Sequence, residues 1–123
     1  MAEGDTVLAT AERLHAGLAG RVLTRTDFRV PRAATVDLSS QRVLEVAARG
    51  KHLLLRTDRD RTVHSHLGMD GGWRLYAPGE RWRGRAFEVR GVLQTEDTVA
   101  VGHRLRTLEV IRTSVEERLL AHL

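Results

Sequence analysis

The stretch Arg42-Val43-Leu44-Glu45-Val46-Ala47-Ala48-Arg49-Gly50-Lys51-His52-Leu53-Leu54-Leu55-Arg56-Thr57 decides the fold. Its two runs of aliphatic and β-branched residues, 42–48 and 51–57, are interrupted by Arg49-Gly50, so the spacing predicts two strands separated by a turn. Outward from there the same period-two pattern recurs over 22–30, 62–67, 73–76, 87–95 and 98–102, and an eighth strand fits at 107–111. Pro31-Arg32, Asp58-Arg59-Asp60, Asp70-Gly71-Gly72, Ala77-Pro78-Gly79 and Glu96-Asp97 punctuate the runs. Many short strands closed by turns imply an antiparallel sandwich or barrel. The expected fold class is mainly β, an antiparallel β-sandwich of about eight strands with an N-terminal α-helix and a short C-terminal helix.

The N-terminal helix is predicted from about Asp5 to Ala19, because Val7, Leu8, Ala11, Leu14 and Leu18 recur at three- and four-residue steps and form one apolar stripe. Asp5 or Thr6 can cap its start and Gly20 suits its end. Such a helix would hold the amino terminus against the domain. At the other end, residues 114–123 read as a second helix, with Ser114 and Glu117 at capping-box spacing.

A chain of 123 residues, 41% apolar and 29% charged, suits one domain with one core. It contains no apolar run long enough to span a membrane and no charged-then-apolar signal peptide, so a cytoplasmic location is expected. With no cysteine, disulfides and thiolate metal sites are excluded. A formal charge of +4 favours an anionic partner. Lysine and arginine together number 20, and Lys51 is the only lysine. A single compact ammonium in so arginine-biased a chain marks either a site that wants it or a chance residue at a strand edge.

The first residues, Met1-Ala2-Glu3-Gly4-Asp5-Thr6, carry the second signal. Once Met1 is removed, the chain starts with a free amine one residue before a carboxylate. A terminal amine has a pKa of about 7.7 to 8.0 against about 10.4 for lysine, so roughly a tenth of it is neutral at pH 7. Only the neutral form attacks a carbonyl-like carbon to give a Schiff base, and a neighbouring carboxylate can then move protons.

These residues resemble the start of the formamidopyrimidine-DNA glycosylase and endonuclease VIII family, in particular its actinobacterial endonuclease VIII-like branch. Arg49-Gly50-Lys51-His52-Leu53-Leu54, Ser65-His66-Leu67-Gly68-Met69-Asp70-Gly71 and Trp73-Arg74-Leu75 extend the resemblance over nearly the whole chain. The resemblance implies an N-terminal catalytic domain over 1–113, with 114–123 beginning the linker helix to a second domain. Two departures stand out. The family's second residue is usually a proline whose ring nitrogen is the nucleophile, and here it is Ala2. The family also continues into a helix-two-turn-helix module and usually a finger, whereas this sequence runs to Leu123.

Residue by residue, the resemblance implies that the Ala2 amine is the nucleophile and Glu3 the proton-transfer group, since Thr6 stands where better-known members carry a second carboxylate. It implies that Lys51 contacts a phosphate flanking the damaged nucleotide and assists elimination. His66 would contact backbone phosphate and Met69 would enter the duplex as a wedge, which suits a reaction that turns a nucleotide out of the stack. Read without the resemblance, Met69 is an ordinary loop or gap-filling methionine. His64 and His66 alternate on one strand face without further ligands nearby, so a structural or solvated pair is expected and no metal. Arg81, Arg83, Arg85 and Arg90, with Trp82 among them, could follow a phosphate backbone or form a solvated loop, and carry no assigned role.

The function so implied is DNA repair: a base-excision DNA glycosylase and abasic-site (β-elimination) lyase for oxidised bases. It would act as a monomer on damaged double-stranded DNA with no cofactor and no membrane. The alternatives are a catalytically impaired or inactive damaged-DNA-binding domain, and a domain that uses the same fold for partners other than DNA.

Overall fold

The computed structural model describes residues 3–121. It consists of α1 (Glu3–Leu18), β1 (Arg25–Phe28), a 3₁₀ turn (Pro31–Ala33), β2 (Val43–Arg49), β3 (His52–Thr57), β4 (Thr62–His66) and β5 (Gly72–Tyr76). A second 3₁₀ turn (Ala86–Glu88), β6 (Val89–Gln94), β7 (Val99–His103), β8 (Thr107–Ile111), a third 3₁₀ turn (Thr113–Val115) and α2 (Glu116–Leu119) follow. The strands form two four-stranded antiparallel sheets, ordered β1-β6-β7-β5 and β2-β3-β4-β8. The expected β-sandwich with a helix at each end is the observed architecture.

Alternation along each strand explains why the sheets face one another. Leu53 and Leu55 of β3, Val63 of β4, Leu108 of β8, Trp73 of β5 and Leu93 of β6 all point into one shared core. The intervening residue Leu54 is also buried, at 1% exposure, but stands on the opposite face of its strand. A polar group crosses the core only where it is satisfied: the Trp73 indole donates to Ser65 Oγ at 3.1 Å.

The helix α1 completes the core along one side. Val7, Ala11, Leu14 and Leu18 are each at most 3% exposed, while Leu8 faces outward, and each leucine so buried stabilises the domain by about 1.5–3 kcal/mol. The helix packs against β2 and β5, the edge strands of the two sheets on that side, and so covers the gap between them. It begins at Glu3 rather than at the expected Asp5, so Asp5 and Thr6 lie in its first turn and not at its cap.

The C-terminal segment departs from the capping-box expectation. Ser114 does not cap α2; its N–H and hydroxyl donate to Asp60 in the β3–β4 turn, at 2.7 and 3.0 Å. The segment is pinned instead by Glu116, 5% exposed, which accepts from Arg56 at 2.5 to 3.2 Å and from the Thr62 hydroxyl at 2.7 Å. Burial alone would push this carboxyl up, but the hydrogen bonds from Arg56 and Thr62 outweigh it and hold it below 4.5. Leu120 is buried and Leu119 about half exposed.

The β4–β5 connection, residues 67–71, carries the chain from one sheet to the other and passes close to the β7–β8 turn. A Cβ on Gly71 would strike the Leu67 carbonyl oxygen and lie 2.6 Å from the Arg104 carbonyl oxygen. Gly71→Ala is therefore expected to cost about 2 kcal/mol or more. Gly50→Ala, with nothing within 4 Å of its Cβ but φ at +58°, is expected to cost about 1 kcal/mol. Urea unfolding of both variants measures the difference, and equal midpoints would contradict the close approach at Gly71. Because Glu116 is stabilised in its charged form, its contribution is present above pH 4.5 and lost as pH falls through its lowered folded value. Glu116→Gln should remove about 2 kcal/mol at pH 7 and flatten the acid limb of a stability-against-pH curve; an unchanged acid limb would argue against the clasp.

Candidate nucleic-acid interface

The turn between β2 and β3 contains only Gly50 and Lys51, because Arg49 and His52 are directly paired. A two-residue hairpin needs positive φ at its first turn position, and Gly50 supplies it at +58°. Lys51 thereby stands exposed at the tip of the hairpin. Since His52 pairs with His66 across β3 and β4, Lys51 and Leu67 come level at the same end of the sheet. Met69 follows in the next turn and is 97% exposed, so it does not fill a gap in the core. The architecture thus brings Lys51 to the same rim as His66 and Met69, which lie fifteen and more residues further along the sequence.

The turn also sets the chemistry of His66. The Gly68 N–H donates to His66 Nδ1 at 3.1 Å, so the neutral ring carries its proton on Nε2 and is a donor there. A donor nitrogen is what a phosphate oxygen requires. The β7–β8 turn, residues 104–106, arrives at the same rim: the Arg106 N–H donates to the His66 carbonyl at 2.9 Å, and the Arg104 N–H to the Glu88 carbonyl at 2.8 Å. Both arginine side chains are exposed, with Arg104 paired to Glu88 at 2.5 Å.

The electrostatic character of this rim is visible in His103, the last residue of β7, opposite Gly72. Burial, followed by the positive charge of Arg74, holds its pKa below 6.5; Glu88 works in the other direction and Arg104 adds to the depression. A charge on His103 is therefore disfavoured, and Lys51, Arg74, Arg104 and Arg106 bring cationic side chains to the rim.

The helix α1 runs towards the same rim. The Gly20 N–H donates to the Val43 carbonyl at 2.7 Å and the Val46 N–H donates to His15 Nδ1 at 3.1 Å, so the helix runs opposite in sense to β2. The helix from His15 back to Glu3 rises about 18 Å, and the strand from Val46 on to Lys51 advances about 17 Å. The amino end of α1 is thus directed at the level of the Lys51 hairpin. Ala2 lies outside the described residues, and of Glu3 only the backbone, as the first residue of α1, is described.

His64 takes the structural one of the two roles expected for the His64–His66 pair. His64 is 4% exposed and sits in a chain of hydrogen bonds: its Nε2 meets His52 Nδ1 at 2.8 Å, its Nδ1 meets Glu109 Oε1 at 3.1 Å, and Arg32 donates to Glu109 Oε2 at 3.0 Å. His66 packs edge-on against His52, with ring centroids 4.7 Å apart. Among the arginines at 81–90, the Arg83 N–H donates to Tyr76 Oη and Arg90 donates to the Phe87 carbonyl, while Trp82 packs on a small apolar cluster of Tyr76, Val89, Val92, Val99 and Val101. Sequence reasoning missed His52, Glu109, Arg104 and Arg106, because only strand register reveals that they share this end of the molecule.

Residues 1–111 match the family model of the formamidopyrimidine-DNA glycosylase N-terminal domain. The whole chain is 58% identical to a probable endonuclease 8 2 of Streptomyces coelicolor and spans 45% of that protein. It is 46% identical to the DNA-(apurinic or apyrimidinic site) lyase Nei2 of Mycolicibacterium smegmatis, of which it spans 47%. The chain thus spans a little under half the length of these relatives. Among solved structures, Lactococcus lactis formamidopyrimidine-DNA glycosylase non-covalently bound to abasic-site DNA aligns with a TM-score of 0.81 over 98% of this chain and 48% of that one. At 19% identity this likeness shows a shared fold. The family match and the relatives' identity over the full chain show that this protein belongs to the formamidopyrimidine-DNA glycosylase N-terminal domain family.

Proposed function

We propose that this chain is the N-terminal catalytic domain of a base-excision DNA glycosylase and abasic-site lyase acting on oxidised bases. The observation that carries this reading is the convergence of the Lys51 hairpin, His66, a fully exposed methionine and two arginines on the rim towards which α1 directs its amino end. The names of its relatives, an endonuclease 8 and an abasic-site lyase, support the same conclusion.

In this reading the neutral Ala2 amine attacks C1′ of the deoxyribose and the base departs, with Glu3 passing protons to the sugar oxygen or the leaving base. The resulting Schiff base makes the C2′ hydrogen acidic. Loss of that proton with cleavage of the C3′–O bond releases the 3′ phosphate. Lys51 and His66 hold the flanking phosphates by charge-assisted hydrogen bonds, and Met69 fills the space the extruded nucleotide leaves. The substrate is damaged duplex DNA, bound by a monomer in the bacterial cytoplasm. Ala2 supplies a primary amine where a proline would supply a ring nitrogen; imine chemistry remains open to it, and base removal is the step expected to weaken most. That substitution also motivates the second reading, a damaged-DNA-binding domain without turnover.

Borohydride trapping on an abasic-site duplex separates the two. The catalytic reading expects a covalent adduct with protein whose intact mass shows Met1 removed, and a fall of about tenfold to a hundredfold in trapping for Lys51→Ala or Glu3→Gln. Duplex affinity should drop as salt rises, with a log–log slope of about −3 if three phosphates are held. Salt-sensitive binding with no adduct would leave the binder; no binding at low salt would overturn both.

A further inference from the structure

β2 is an edge strand of its sheet, and α1 lies along that edge. An edge strand presents N–H and C=O groups that no neighbouring strand pairs, and those roofed by a helix are also withheld from water, so each needs a partner. Val43 finds two partners in the segment just after α1: its carbonyl accepts from the Gly20 N–H at 2.7 Å and its N–H donates to the Arg21 carbonyl at 2.9 Å. Three residues further along, at Val46, which is 7% exposed, the partner comes from within the helix. The Val46 N–H donates to His15 Nδ1 at 3.1 Å. A neutral imidazole that accepts at Nδ1 carries its proton on Nε2.

This bond supplies what the apolar contacts of α1 lack. Val7, Ala11, Leu14 and Leu18 hold the helix to the core, but hydrophobic contact is non-directional and tolerates small shifts along the helix axis. A hydrogen bond is confined to a few tenths of an ångström and a narrow range of angles, so it fixes axial position. A helix rises about 1.5 Å per residue; a slip of one residue at His15 would therefore move the amino end of α1 by that amount relative to the Lys51 hairpin. A misplacement of about 1 Å can cost a reaction a hundredfold in rate.

We infer that His15 is a positioning residue: by accepting from the Val46 N–H it sets the axial placement of α1 on β2, and with it the reach of the amino end towards the Lys51 rim. Its effect on the reaction rests on the proposed DNA-repair reading, whereas the seating of α1 by His15 stands on the protein alone. His15 lies about 18 Å along the helix from Glu3 and touches neither substrate nor the reacting amine. Lys51, His66 and Met69, which grip DNA in that reading, belong to the strands and their turns and not to α1. Loss of the His15 bond should therefore slow the chemical step and leave duplex binding as it is.

Two substitutions separate the acceptor from the ring. Asparagine places Oδ1 where histidine places Nδ1, so His15→Asn keeps an acceptor for Val46, whereas His15→Phe keeps a ring and removes the acceptor. In His15→Phe the Val46 amide should exchange with solvent about fivefold faster or more. Single-turnover borohydride trapping on saturating abasic-site duplex should fall about tenfold to a hundredfold, with duplex affinity unchanged. His15→Asn should restore both the exchange and the trapping rate. Glu116→Gln, which loosens the clasp of the C-terminal segment rather than α1, should trap at the unmodified rate. Trapping in His15→Phe that is unchanged, falls in step with duplex affinity, is matched by Glu116→Gln, or is not restored in His15→Asn would overturn the positioning role. A neutral His15 protonated on Nδ1 in ¹⁵N NMR of the unmodified chain would overturn the bond itself, even if His15→Phe failed to fold. Faster exchange at Val46 in His15→Phe, with no adduct from the unmodified chain, would instead sink the DNA-repair reading and leave the seating of α1 intact.

Discussion

Strand register is the constraint on which the rest of this molecule depends. Pairing of Arg49 with His52 and of His52 with His66 puts one lysine at a hairpin tip and one methionine at a turn on the same rim. A slip of one residue would turn His52 and His64 into the inter-sheet core and Leu53 and Leu55 out of it. The burial of those leucines, at 2% and 4% exposure, therefore enforces the alignment of polar groups on the opposite face. Apolar packing fixes the site indirectly, and no polar contact has to hold the register alone.

The rim itself combines cationic charge with limited means of neutralising it. Arg104 has Glu88 as partner and Arg32 has Glu109, so acidic residues balance the cations at particular points. Burial and the positive charge of Arg74 disfavour a charge on His103. The clasp formed by Glu116 with Arg56 and Thr62 secures the C-terminal segment to the outer face of the β2-β3-β4-β8 sheet.

Much of this was readable before any coordinates. The eighth strand falls at 107–111 as its pattern implies, and the runs at 42–48 and 51–57 shift by a single residue, because alternating burial leaves a clear signature. The first strand is shorter than its 22–30 pattern implies: ladder pairing extends only over Arg25–Phe28, with Val22 and Arg42 joined by an isolated bridge. The Ser114–Glu117 capping box failed because Asp60, distant in sequence, competes for Ser114. Lys51, His66 and Met69 stood out through the family resemblance and the rarity of lysine. The link from His52 through His64 to Glu109 was invisible, since it joins three strands and becomes apparent only when they are laid in register.

The central claim is that the terminal nitrogen, rather than the lysine beside it, is the group that meets the sugar. Peptide mapping by mass spectrometry of the borohydride-reduced adduct tests it most directly. The account predicts that the deoxyribose remnant is attached to the amino nitrogen of Ala2 in the N-terminal peptide. Attachment to the Lys51 side chain would contradict it.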